Sequence, residues 1–298
     1  MKKVLCIAES CCDMIFGLLP RLPKHGEEIY CRHFEMKAGG GANTPIALGR
    51  MGVPVRFLSG IGEDFAGRLI KEALMKSGVK IADTGVEKTT ATPVSAVLST
   101  YEDRCFASYG GSGGDFVTEE RLEEEIRQAD IVHTYLGYCR HYPIDRLCVR
   151  YGKALSLDVS YGDLAKEEVS LPKACRYLKI NEEEAKCLTK KEDPWQAAKA
   201  LAAQGVEHVI VTLGEAGSIA LCGGKSYEQP AVRAGECVDT CGAGDSFAAG
   251  VLTGAAMQKT PADMLKLGAI LSGICVTMYG GLSGELQPDM VWKRFLEN

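Results

Sequence analysis

The chemistry-bearing residues of this chain begin with Asp239-Thr240-Cys241-Gly242-Ala243-Gly244-Asp245-Ser246-Phe247, followed by the small, apolar run AAGVLTGAAM. Gly242 and Gly244 lack the Cβ atoms that would keep an anion from the main chain, and a helix starting there turns its positive dipole end toward whatever sits on the turn. Such a turn is an anion hole. Asp245, in the first turn of that helix, can reach a hydroxyl held above the hole and take its proton. Alone, Gly-Ala-Gly-Asp is more simply a helix start. A second segment shifts the balance, because Ala38-Gly39-Gly40-Gly41-Ala42-Asn43 places three successive glycines, more than a cap requires, before a helix with Pro45 in its first turn. Close approach of a ligand to that backbone follows. Asp13, just past the first strand, is the carboxylate placed there to accept bonds from ligand hydroxyls.

The elements that must position these residues alternate strand and helix. KKVLCIAES reads as a first buried strand, and DIVHT, ALSLD, RYLKI and HVIVTL follow as further apolar runs. Between them lie helical stretches such as TEERLEEEIRQA and DPWQAAKALAAQG, the latter opened by Asp193 and Pro194. In DFAGRLIKEALMKSG, Phe65, Leu69, Ile70, Ala73 and Leu74 fall on one face, and Gly78 closes the helix. Repeated units of this kind predict one α/β domain over 1–298 with a mainly parallel sheet, and ligands bind outside the carboxyl ends of such strands. Two excursions break the alternation, at about 14–37 and 89–114, the second a hairpin turning near Glu102-Asp103. Together they predict a small accessory sheet.

Lys plus Arg is 34 against 39 for Asp plus Glu, so the net charge of -5 offers no broad basic field and nucleic acid is not an expected partner. Leu267 to Gly284 is uncharged but rich in glycine, which predicts a buried helix and a glycine turn rather than a membrane span. The apolar stretch Val4 to Ala8 is too short for a secretory signal. Thirteen scattered cysteines with no zinc-type spacing read as reduced thiols, and a cytoplasmic location is expected. Gly224-Lys225-Ser226 has Ile219 where a P-loop needs its first glycine, and no G-x-G-x-x-G follows the first strand. Those absences disfavour a Walker-type NTPase and a dinucleotide oxidoreductase.

DTCGAGDSF and GGGAN resemble the C-terminal and N-terminal signatures of the ribokinase or PfkB family of carbohydrate kinases. Four more features fall in that family's order: A-E-x-x-x-D ending at Asp13, GEDFAG, Asn181-Glu182-Glu183-Glu184, and Thr212-Leu213-Gly214-Glu215-Ala216-Gly217. The resemblance covers essentially the whole chain. It implies a ribokinase-like three-layer α/β sandwich with a small β-lid, and transfer of the γ-phosphoryl group of ATP to a sugar hydroxyl. Asp245 would be the general base, with the main chain at Gly242, Ala243 and Gly244 stabilising charge. Asp13, Gly39, Gly40 and Asn43 match sugar-binding positions. Asn181, Thr212, Gly214 and Gly217 match nucleotide-binding positions, Glu184 a residue that positions Mg²⁺ through water, and Asp239 a residue near a monovalent cation such as K⁺. A homodimer through the lid is also implied.

This chain departs from the pattern at three places. Gly40 stands where many ribokinases have Lys, Tyr135-Leu136-Gly137-Tyr138 stands where several offer a polar residue to the sugar, and Ala269 replaces a polar residue near adenine. The aromatic strand end, with His133, Arg140 and His141 beside it, opens the prospect of a bulkier acceptor, and a nucleoside kinase is the alternative within enzymes. A binding protein without turnover is the alternative outside them, disfavoured by the intact Asp245. Cys241, one residue before the anion hole, is expected to have a lowered thiol pKa.

Overall fold

The computed structural model describes residues 1–86, 91–100, 104–160, 170–282 and 286–297. Its strands in chain order are β1 Val4–Ile7, β2 Ser10–Leu19, β3 His33–Gly40, β4 Val55–Leu58, β5 Lys80–Ile81, β6 Val94–Thr100, β7 Arg104–Tyr109, β8 Ile131–Tyr135, β9 Ala154–Asp158, β10 Cys175–Asn181, β11 His208–Thr212, β12 Ser218–Cys222 and β13 Lys225–Gln229. Among the described residues they make two sheets, ordered β13-β12-β11-β10-β9-β8-β1-β4-β5 and β3-β2-β6-β7. In the larger sheet every pairing from β5 through β11 is parallel, and β12 and β13 add an antiparallel hairpin at one edge.

The apolar strands are apolar because both of their faces are covered. In β1, Val4 and Cys6 belong to one buried cluster while Leu5 and Ile7 belong to the other. Helices Asn43–Arg50, Phe65–Lys76, Ala243–Ala256 and Pro261–Cys275 close the first cluster. Helices Glu119–Gln128, Ile144–Tyr151 and Pro194–Ala202 close the second, which gives the three layers expected. Asp193 caps the last of these through Gln196 N, with Pro194 in the first turn.

The two excursions do form one small sheet, in which β2 pairs antiparallel with β3 and parallel with β6, and β6 pairs antiparallel with β7. Its strands extend beyond the segments read from sequence, from Ser10 and as far as Gly40. Asp13, just past β1, therefore lies within a strand of this sheet. The turn expected near Glu102-Asp103 lies outside the described residues. In helix Phe65–Lys76, Asp64 is the cap and Ala66, Ile70 and Leu74 form the buried stripe, at steps of four. That stripe runs one residue on from the expected edge, so Phe65 is 60% exposed.

Leu267 to Gly284 divides as its glycines suggest. Helix Pro261–Cys275 is buried along most of its length, and Gly280 and Gly281 follow at φ +67 and +80. Among the described residues no helix is long and apolar enough to cross a membrane. That helix packs on Ala243–Ala256, where small residues let two backbones meet: a Cβ on Gly250 would stand 2.4 Å from the Leu267 carbonyl oxygen. Gly250→Ala should therefore destabilise the protein by about 1 to 3 kcal/mol, the usual cost of overpacking. The check is the urea midpoint, and an unchanged midpoint would contradict this packing.

Candidate active site

Register places the site. Across parallel strands Tyr135 pairs with Asp158, Asp158 with Lys179, and Asn181 with Thr212. Side chains in register share a face, so Tyr135, Asp158 and Lys179 form a row at the carboxyl ends of β8, β9 and β10. Helix Ala243–Ala256 starts above this row, its cap residue Gly242 at φ +71, a left-handed conformation natural to glycine.

Asp245, in that first turn, is held from two sides. Asn43 Nδ2 donates to its Oδ2 at 3.0 Å and the Tyr135 hydroxyl donates to its Oδ1 at 2.9 Å. The Thr44 hydroxyl also donates to its main-chain oxygen at 3.3 Å. Burial pushes the Asp245 pKa above the ordinary carboxylate range, Lys179 and the Asn43 and Tyr135 bonds pull it down, and Asp158 adds to the rise. The net direction is up. A carboxylate that is buried yet hydrogen-bonded in this way is fixed in orientation, with its pKa raised on balance.

Asn43 is not a helix cap. Ala42 holds that position without a side-chain bond, which leaves the Asn43 side chain to reach Asp245. Its Oδ1 is buried and lacks a hydrogen-bond partner among the described residues, an acceptor that a ligand hydroxyl would satisfy. Asp13 is 5% exposed and accepts from Cys11 Sγ at 3.1 Å. A Cβ on Gly39 would fall 1.9 Å from Asp13 Oδ2, so this glycine makes room for the carboxylate. Burial raises the Asp13 pKa, the Cys11 bond lowers it, and the charges of Asp245 and Asp239 raise it further. Asp13 and Asp245 thus lie within electrostatic reach of each other, one from a strand of the small sheet and the other from the first turn of helix Ala243–Ala256.

Above Asp245 opens a cleft of about 740 Å³. Gly40, Tyr135, Tyr138 and His141 line it, as do Phe116, Tyr142 and glycines 110, 113 and 114, which sequence reasoning did not single out as site residues. The aromatic rings are fixed by main-chain bonds: Glu9 N donates to the Tyr138 hydroxyl and Phe116 N to the Tyr142 hydroxyl, both at 3.0 Å. His133 is buried beneath the site with Nδ1 3.2 Å from Ser156 Oγ, and burial, helped by Lys179, holds its pKa down at about 4. It is neutral at pH 7. Arg140 is exposed and does not line the cleft.

Asn181 and Glu184 form a reciprocal capping box, with Glu184 N donating to Asn181 Oδ1 at 2.8 Å and Asn181 N donating to Glu184 Oε2 at 2.9 Å. Thr212 lies beside Asn181 and leads into the turn holding Gly214 and Gly217, at φ +58 and +99. Among the described residues no group of three or more His, Cys, Asp or Glu could hold a metal ion. Glu184, a buried carboxylate in the first turn of the helix after β10, fits the manner in which Mg²⁺ is usually held, by one or two carboxylates, waters and substrate phosphates. Asp239 is different. Its Oδ1 accepts from Cys241 N at 2.9 Å and Arg104 at 3.4 Å, and its Oδ2 accepts from Gly280 N at 3.0 Å. Arg104, from β7, also donates to the Thr240 hydroxyl. Both of its oxygens are thus engaged, and arginine offsets its charge.

Cys241 corrects an expectation. Burial and the neighbouring charge of Asp239 push its thiol up to about 12, and these outweigh any lowering by the helix end. All thirteen cysteines are free. Sequence reasoning also passed over Lys179 and Asp158, although each is a charge inside an apolar run, RYLKI and ALSLD.

Three comparisons bear on this geometry. The chain is 28% identical over 302 residues to the ribokinase of Haemophilus influenzae, covering 95% of each chain. It is 27% identical over 282 residues to the fructoselysine 6-kinase of Shigella flexneri, covering 94% of this chain and 99% of that one. The structure of Arabidopsis thaliana ribokinase complexed with ribose and ATP superposes with a TM-score of 0.79 at 26% identity, covering 99% of this chain and 98% of that one. The ribokinase fold is thereby shown. Residues 1–287 match the pfkB family carbohydrate kinases, and the chain belongs to that family.

Proposed function

We propose that this protein is an ATP-dependent sugar kinase that moves the γ-phosphoryl group to a hydroxyl of a monosaccharide or sugar derivative, with Asp245 as general base. The observation that carries the reading is Asp245 itself, oriented by Asn43 and Tyr135 at the start of a glycine-opened helix and facing the cleft. Asp13, Asn43 and the main chain at Gly39 and Gly40 hold the acceptor. Its hydroxyl gives its proton to Asp245 as its oxygen bonds to the γ-phosphorus, and the bond to the bridging oxygen breaks with its electron pair leaving on ADP. Main-chain N–H groups at Gly242, Ala243 and Gly244 stabilise the charge on the transferring group. Asn181, Thr212, Gly214 and Gly217 hold the nucleotide. Mg²⁺, when bound with the triphosphate, would supply charge neutralisation there, and Glu184 would help hold it through water.

The small sheet serves as a lid, since glycines just after β7 line the cleft and their closure would exclude water. Phe116, Tyr135, Tyr138 and Tyr142 favour an acceptor with an apolar or aromatic part beyond the sugar ring, so a sugar adduct or a nucleoside is the second reading. The fructoselysine 6-kinase relative supports the adduct.

Asp245→Asn should cut turnover by about 10² to 10⁴ while nucleotide binding persists, the usual worth of general-base catalysis. Near-normal turnover would remove Asp245 from the mechanism. Because the base acts ionised and burial raises its pKa, activity should fall as pH drops through a value above the ordinary carboxylate range. A kcat/KM profile that stays flat down to pH 4 would contradict that assignment.

The outer face of the lid carries Met14, Phe16, Phe34, Met36 and Leu98 in register, with Phe34 55% exposed and its ring 5.1 Å from Phe16. We propose that this face joins two copies in a homodimer. Sedimentation should show a dimer that Phe34→Asp converts to monomer, and a monomeric unaltered protein at micromolar concentration would overturn it.

A further inference from the structure

Among the described residues the cleft lining contains no lysine or arginine, and Gly40 supplies no side chain to a phosphate. Yet a γ-phosphoryl group that passes through a charged transition state is normally met by a cation. Lys179 brings an ammonium against the anion hole. A Cβ built on Gly244 would lie 3.0 Å from Lys179 Nζ, so the glycine leaves the ammonium room against the main chain of the hole. Lys179 is nearly buried and reaches there from the middle row of the main sheet, facing Asp158 Oδ2 at 3.0 Å.

We infer that Lys179 is a catalytic residue of this kinase: its ammonium contacts the transferring γ-phosphoryl group at Gly242–Gly244, with Asp158 as its counter-ion when the nucleotide is absent. The inference rests on the kinase reading above and adds to it a side chain outside the family signatures. Two further observations favour it over a purely structural ion pair. A buried pair is a weak source of stability, since apolar residues of similar volume often do as well. Apart from Lys179, neither Asp158 oxygen has a hydrogen-bond partner among the described residues, so nothing else anchors the pair and the ammonium can exchange toward phosphate. Burial pulls the Lys179 pKa down while Asp158 and Asp245 push it up, and the net direction is up, so the ammonium stays protonated. Lys179 gives up no proton in the step. It offsets the charge on the equatorial oxygens and, in the resting site, the charges of Asp158 and Asp245.

The test compares affinities for Mg²⁺ with ADP and Mg²⁺ with the non-hydrolysable ATP analogue AMP-PNP by calorimetry. It uses the unaltered protein, Lys179→Met, Asp158→Asn and the double variant Lys179→Gln/Asp158→Asn, which leaves no unpaired buried charge. Both variants lacking the lysine should lose about 10- to 100-fold in AMP-PNP affinity with ADP affinity unchanged, the worth of a hydrogen bond to a charged group. Asp158→Asn alone, which keeps the ammonium, should keep the preference for AMP-PNP. An unchanged AMP-PNP to ADP ratio in the double variant, or the same loss in Asp158→Asn, would overturn the assignment. Failure of the unaltered protein to bind either nucleotide would overturn the kinase reading itself, and this inference with it.

Discussion

The proposed mechanism depends on keeping one carboxylate, Asp245, buried, ionised and aimed. Burying a carboxylate without partners costs so much that the group protonates instead. Here the partners come from three separate places: Asn43 after the end of the small sheet, Tyr135 at the end of β8, and the nearby charge of Lys179 on β10. None of them is close to Asp245 in sequence. The architecture is therefore constrained to bring the small sheet, the carboxyl edge of the main sheet and the last helical hairpin to a single point.

Close packing fixes that point. The helix bearing Asp245 is pressed against its partner through glycine, so its first turn has little freedom to shift. The small sheet is tied to the same loop by Arg104, which reaches from β7 to Asp239 and Thr240. Asp239 in turn accepts from Gly280 N in the glycine turn that follows the last helix pair. In the proposed mechanism, movement of the small sheet would be felt at the loop that forms the anion hole, which would couple closure over an acceptor to the geometry of phosphoryl transfer.

Much of this was legible in the residues. Glycines that serve close approach stand out because nothing else explains three in succession, and Asp245 and Asn43 stand out by their place beside them. The alternating apolar runs exposed the parallel sheet for the same reason: a strand covered on both faces must be apolar throughout. Less legible was anything set by tertiary register. That Asp13 sits within a strand was not legible, because the bend after β1 is followed at once by β2 with no glycine or proline to mark it. Phe116 and Tyr142 reach the cleft from loops whose spacing carries no period. Lys179 and Asp158 face each other only because β9 and β10 pair in one particular register. Cys241 shows the opposite failure, since a local rule about helix ends was outweighed by burial and by Asp239.

The central claim, that this geometry moves phosphate onto a sugar hydroxyl, is tested most directly by measuring ADP release from ATP and Mg²⁺ across pentoses, hexoses, keto-sugars, sugar acids, sugar-amine adducts and nucleosides. The account predicts one strong acceptor, a sugar or sugar derivative, with product phosphorylated on a single hydroxyl. Silence across every acceptor while ATP and a sugar still bind would contradict it and leave a binding protein in a kinase fold.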